Sequence, residues 1–388
     1  MKAVVRSPLS PFSFLTEMVL LCLCAAGQGR EISTPGAVHG ANADGTVGSS
    51  TEVCITGVPG WTMEKDSSVH AAHSEGDKIM KVDGVPELGW GKGKNCTFIG
   101  ALEAALAVTD HPAKYSDLMG WSGMAFRVRW YVGNDNSGAC PSAAVGEFED
   151  ETAAVQKYSG WSAFADFDPT PSALLRFKDK ITASIDKGMP VLLYDPGWDV
   201  AVAYGYEKGG DRLFLRSYTD NFSQIDLASS PALIYINEKY AEPPSRRDAF
   251  IDALNLAVSN WHREAMVREK GQYLYGELGF DKWMQDYTNF KSLSEEAQKT
   301  TAHASRFCYM TLLDCRAAAA TFLDEHSDAV NEEARICLKR AADICRRQLP
   351  DEIAMGTPNG VPEHLLKAKE EFSEVIAEIG KALAAERH

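Results

Sequence analysis

The sequence predicts an α+β fold, with a mixed domain carrying an antiparallel β-meander over residues 51–240 and an all-α helical domain over residues 244–387. Three observations point to it. From Val53 to about Asn237, short runs rich in β-branched and aromatic residues alternate with glycine and proline punctuation. After "EPPSRRD" (242–248), apolar residues recur at helical spacing almost without a break. Between the two best strand-like runs, the "EKGGDR" turn at 207–212 has the composition of a tight hairpin.

Ahead of the mixed domain, Lys2 and Arg6 precede an apolar stretch from Met18 to Ala26 and then small residues. That is the order of a secretory signal peptide, here residues 1–29, and it predicts an exported protein, periplasmic or at the cell surface. Read only as an extension, the same segment leaves the protein cytoplasmic. Residues 30–50 are rich in Gly, Ala, Ser and Thr and read as a flexible linker. No other segment approaches the ~20 apolar residues that span a bilayer, so no integral membrane segment is expected after signal removal. With a net charge of −15 and no basic cluster, nucleic acid is excluded as a partner.

The strand candidates follow in order: "VCIT" (53–56), "AFRVRWYV" (125–132), "PVLLY" (190–194), "DVAVAYGYE" (199–207), "RLFLRSY" (212–218) and "ALIYI" (232–236). In "DVAVAYGYE", Ala201, Ala203 and Gly205 share one face and Val200, Val202, Tyr204 and Tyr206 the other. The small-residue face is the expected seat of the helix that starts near Cys96. Thr170 and Pro171 have the chemistry to start a helix through Ala173 to Ile185, closed by Gly188. In the helical part, Phe250, Leu254, Ala257 and Trp261 make one apolar stripe, and Ala304, Phe307, Cys308, Leu312 and Cys315 another. Helices at 328–349 and 362–386 complete an expected antiparallel bundle. Cys308 and Cys315, seven apart, and Cys337 and Cys345, eight apart, fall at helical intervals and read as small core residues. No cysteine has CxxC or zinc-motif spacing, so neither metal nor other cofactor is expected.

The stretch that carries chemistry is "GWGKGKNCTFIGALEAAL" (89–106). Asn95 reads as the N-cap and Cys96 as a first-turn residue, where unpaired N–H groups and the helix dipole favour a thiolate. The same place also suits a small buried side chain. Glu103, two turns on, reads as a solvated helix residue.

Together with "YSDLMGWSGMAFRVRW" (115–130), "GMPVLLYDPGWDVAVAYGYE" (188–207) and the later "YLYGELGFDKWMQDY" (273–287), this stretch resembles a largely uncharacterised bacterial family. That family is related to the N-terminal domain of butirosin biosynthesis protein H and, more distantly, to C39-type papain-like cysteine peptidases. The resemblance covers about residues 53–349. It implies a papain-like domain and a cysteine-dependent acyl transfer or amide hydrolysis on a small acyl, amino-containing or peptide ligand. Cys96 takes the nucleophile position, and the N–H groups of the 94–98 turn serve as the oxyanion site. The chain departs from the family pattern where a histidine is expected at the start of the meander strand, since Trp198 and Asp199 stand there. No histidine occurs between His111 and His262. Asp199 is the candidate base, although a carboxylate near pKa 4 is a poor base for a thiol near 8.5. His39, His70, His73, His262 and His303 are the possible surrogates. Asp220 and Asn221 read as turn residues. Trp90, Asn95 and Trp198 are placed at the ligand cleft, with Arg127 as an inward guanidinium for a carboxylate or phosphate. The alternative is a non-catalytic binding protein for a small ligand or peptide on the same scaffold.

Overall fold

The computed structural model describes residues 78–132, 153–166, 174–197, 199–230, 233–239, 242–263, 265–268, 271–350 and 360–387. The expected signal peptide, the linker, "VCIT", Thr170, Pro171, Trp198, His39, His70 and His73 lie outside the described residues. Within them the fold is mixed, with small antiparallel sheets and a helical C-terminal region.

The larger sheet contains β1 (Met80–Lys81), β3 (Trp161–Asp166), β4 (Val191–Tyr194), β5 (Val200–Glu207), β6 (Arg212–Arg216), β7 (Gln224–Asp226) and β8 (Leu233–Lys239). Its order is β3-β8-β4-β5-β6-β7, with β1 beside the far end of β5, and the pairings are antiparallel. The "EKGGDR" hairpin forms as expected, with Lys208, Gly209 and Gly210 all at positive φ. Two helices cover the two faces. The face of Val191, Leu193, Ala201, Ala203, Leu213 and Leu215 packs on Ile181 and Ile185 of α4 (Lys178–Asp186). The opposite face, with Leu192, Tyr194, Val200 and Val202, belongs to the core of α1 (Thr97–Leu106).

This reverses the seat expected for the Cys96 helix. The small residues that permit close approach lie in α1 itself, at Gly100, Ala101, Ala104 and Ala105, rather than in β5. A Cβ at Gly100 would lie 1.9 Å from the Tyr218 hydroxyl, so only glycine admits the phenol there. Gly205 is small for another reason: it pairs with Lys81, and a Cβ would fall 2.5 Å from the Met80 carbonyl. A bulge between Ala203 and Gly205 also moves Tyr206 to the α4 face, where its hydroxyl donates to Asp186 at 2.8 Å.

After α2 (Tyr115–Trp121) the "AFRVRWYV" run is only half strand. Met124–Phe126 forms a single 3₁₀ turn, and β2 begins at Arg129 and ends at Val132. Following α3 (Ala153–Ser159) and the main sheet, α5 (Arg246–His262) opens the helical region. The expected unbroken helix is interrupted here by β9 (Ala265–Arg268) and β10 (Gly271–Tyr275), and β10 pairs with β2 in a second sheet. That sheet thus takes strands from both sides of residue 240. One apolar core also runs through both regions, from Phe98 and Ile99 to Phe250, Tyr309, Phe322 and Phe372.

The remaining helices are α6 (Gly276–Thr288), α7 (Glu295–His326), α8 (Glu332–Cys345) and α9 (Val361–Ala385). At 32 residues and ~1.5 Å per residue, α7 is the axis of this region. Cys308, Cys315, Cys337 and Cys345 are buried thiols in the helix interfaces, as their spacing predicts. The α7–α9 contact encloses an ion pair, Arg316 to Glu371 at 2.7 Å, and Arg316 also donates to the Ile344 carbonyl. Removing one partner of such a pair strands a charge in the core. Glu371→Leu should therefore cost ~3–5 kcal/mol in urea unfolding, and Arg316→Met added to it should restore most of the loss.

Candidate functional site

The cysteine centre is assembled where α1 begins. Cys96 itself is the N-cap, with extended backbone, and Asn95 stands one residue outside the position expected for it. The Asn95 side chain instead accepts weakly from the Gly91 N–H at 3.4 Å. No side chain from the neighbouring sequence caps the helix. From α7, Asp314 Oδ2 accepts the Asn95 N–H, just ahead of the helix, at 3.0 Å. The Cys96 N–H donates to the Tyr115 hydroxyl at 3.1 Å, and that hydroxyl donates to Asp314 Oδ2 at 2.5 Å.

Burial raises the Asp314 carboxyl above the ordinary carboxylate range, against hydrogen bonds from Tyr115, Asn95 and Cys96 that pull it down. Burial, followed by the charges of Cys96 and Asp314, pushes the Tyr115 phenol far above its usual value, so it stays a donor. The Cys96 side chain has no exposed surface, and its Sγ rests 3.8 Å from Met124 Sδ.

Tyr218, just beyond β6, closes the centre from the sheet side. Its hydroxyl donates to the Lys94 carbonyl at 2.8 Å, in the space left by Gly100. Burial first, then the charges of Cys96, Asp199, Asp314 and Glu103, raise its phenol. Cys96 and Asp199 thus both act electrostatically on one buried tyrosine. Trp90 packs on the Tyr218 ring at 5.1 Å and edge-on to Phe307 at 6.0 Å, and its buried Nε1 has no hydrogen-bond partner. Glu103 is not a solvated residue, because it accepts the Tyr115 N–H at 3.0 Å and pairs with Lys94. Arg127 is buried, in a recess shared with Arg129, Trp283 and Thr311.

Asp199 is held by a residue that sequence reasoning passed over. Asp195 Oδ1 accepts the N–H groups of Gly197 (2.8 Å) and Asp199 (3.2 Å), and Oδ2 accepts the Ser217 hydroxyl at 2.6 Å. An aspartate that opens "DPGWD" has the side chain for this turn, and that was the available signal. Asp220 and Asn221 form a 3₁₀ turn, as read.

Two of the described histidines lie on α7 far from Asp314, the residue next to Cys96. Along α7, His303 is eleven residues before Asp314 and His326 twelve after it, ~16 and ~18 Å along the axis. His262 is exposed at the end of α5, and His111 is exposed beyond α1. His326 is engaged elsewhere, with Asp117 at 2.7 Å on Nε2 and the Arg246 guanidinium donating to Nδ1 at 3.2 Å. Comparison of the chain with known protein families and with curated proteins returns no match.

Burial raises the Asp195 carboxyl to about 6, although its three hydrogen bonds pull it down. A carboxyl raised on folding contributes stability that is present below its unfolded value near 4 and lost as pH rises through about 6. Asp195→Asn keeps an acceptor for both N–H groups and removes the charge. The variant should match the parent near pH 4 and gain on it by up to ~3 kcal/mol by pH 8 in urea unfolding. A difference that does not change with pH would remove the raised carboxyl from the account.

Proposed function

We propose that this protein is a non-catalytic binding protein for a small ligand or peptide, on a papain-like scaffold that keeps the nucleophile position without its chemistry. The observation that carries this reading is Asp314 at the start of α1. In a cysteine enzyme, N–H groups at that place stabilise the thiolate and then the oxyanion. Here the Asn95 and Cys96 N–H groups are occupied by Asp314 and Tyr115. An oxyanion would have to displace a carboxylate, and a thiolate would form beside Asp314. The scaffold part of the reading is supported by the order of parts: a cysteine at a helix start, Asp199 before the meander strand, and Tyr218 after the next.

The second reading is a cysteine-dependent acyltransferase or amidohydrolase with Cys96 as nucleophile and Asp199 as base. It is favoured by the convergence of both residues on Tyr218 and by the unpartnered Nε1 of Trp90.

Alkylation of Cys96 as a function of pH, followed by peptide mass spectrometry, separates the two. Burial pushes the Cys345 thiol up to about 12 and also raises Cys337, so both serve as slow internal standards. Cys96 should react no faster than they do at pH 7. Modification of Cys96 at least tenfold faster than Cys345 below pH 8 would establish a stabilised thiolate and reverse the ranking.

A further inference from the structure

We propose that His326 is a proton-operated latch, tying the start of α5 to the end of α7 while neutral and favouring α2 once protonated, a device independent of the binding reading above. His326 sits in the last turn of α7, only 8% exposed, where α2, α5 and α7 meet. Its ring lies among Phe322 of its own helix at 4.8 Å, Phe250 of α5 at 5.6 Å and Trp121 of α2 at 6.5 Å. On Nε2 it meets Asp117 Oδ1 at 2.7 Å, and on Nδ1 the Arg246 Nε at 3.2 Å.

Arg246 fixes where the proton stands on this ring. A guanidinium N–H only donates, so Nδ1 must offer a lone pair. The single proton of the neutral imidazole is then on Nε2 and donates to Asp117. A second proton has one place to go, Nδ1, where it would point at the Arg246 N–H. Two donors cannot share a hydrogen bond, and the two groups would then carry like charges. Protonation therefore breaks the Arg246 bond and turns the Asp117 contact into a charge-assisted pair.

The charged groups around the ring pull in both directions. From α2, Asp117 favours the imidazolium, and so does the carbonyl end of α7 on which the ring sits. From α5, Arg246 opposes it. Lys114, just ahead of α2, faces Asp117 but is paired with Glu325 at 2.8 Å, and Asp324 is taken up by Arg346. Asp328, in the turn after α7, holds the Arg246 guanidinium at 2.7 Å, and the Glu325 carbonyl accepts from it as well. Arg246 thus stays on the end of α7 after its bond to the ring is lost, so the latch slackens α5 without releasing it. The start of α5 is where the chain passes from the main sheet to the helical region, and a proton on His326 acts on that joint.

The test is urea unfolding of the full chain at pH 8 and pH 5, the range over which imidazoles change charge. The bond from Arg246 to the neutral ring contributes stability at pH 8 and loses it as pH falls, whereas the pair of Asp117 with the imidazolium gains as pH falls. Arg246 is half-exposed, so Arg246→Met leaves the fold intact, and it should lower the folding constant about fivefold more at pH 8 than at pH 5. Asp117→Asn should do the reverse, costing about fivefold more at pH 5. In a His326→Gln background, which cannot titrate at this position, each cost should be the same at both pH values. Asp195 titrates in the same range in every variant and cancels in these ratios. Costs that do not change with pH, costs that change in the same direction for both substitutions, or a pH dependence that survives His326→Gln would each overturn the latch.

Discussion

The carboxyl of Asp314 at the start of α1 is the contact on which the arrangement of this protein depends. A helix start presents N–H groups without internal partners, and burying them unsatisfied is costly. Here the N–H groups of Asn95, just ahead of α1, and of Cys96, its N-cap, are met by Asp314, 219 positions after Asn95, and by Tyr115. The contact fixes α7 against α1 and brings Tyr115 between them as a second donor. Because α1 rests on the Val200 and Val202 face of the sheet, the same contact docks the helical region onto the mixed one. The β2–β10 pairing reinforces that docking with main-chain hydrogen bonds.

The consequence for chemistry is a conflict between structure and reactivity. Whatever caps α1 occupies the place where a cysteine nucleophile would draw its activation. A carboxyl there serves stability through hydrogen bonds, and it adds negative character where a thiolate would form. Asp199 and Glu103 act on the same centre, through Tyr218. Burial first, then the charges of Cys96 and Asp314, keep protons on Tyr115 and Tyr218, so the phenols remain donors that lock the loop to the helix. The centre is therefore best understood as a packed junction held by tyrosines.

What was legible in the sequence was local. The β4 to β6 meander, the glycine-rich hairpin and the spacing of the buried cysteines all express short-range rules of alternation and turn chemistry. Misreadings occur where distant partners decide. Cys96 rather than Asn95 is the N-cap, and the groups that take the N–H bonds there, Tyr115 and Asp314, are distant in sequence. The small face of β5 does not receive α1, because the glycine that matters is in the helix, opposite Tyr218. The β9–β10 hairpin was hidden inside a helical-looking stretch, because its strand character comes from pairing with β2. Asp195 was readable as a turn former, yet its tie to Ser217 joins two loops and depends on the sheet order.

A single helix then organises charge on either side of the junction. Asp314 on α7 meets the start of α1 with a negative group, and Thr311, one turn earlier on the same helix, faces two buried arginines. A protein selected to activate Cys96 would need positive or neutral donors at the thiol in place of a carboxyl. The carboxyl that α7 brings to the start of α1 therefore argues against Cys96 as an activated nucleophile.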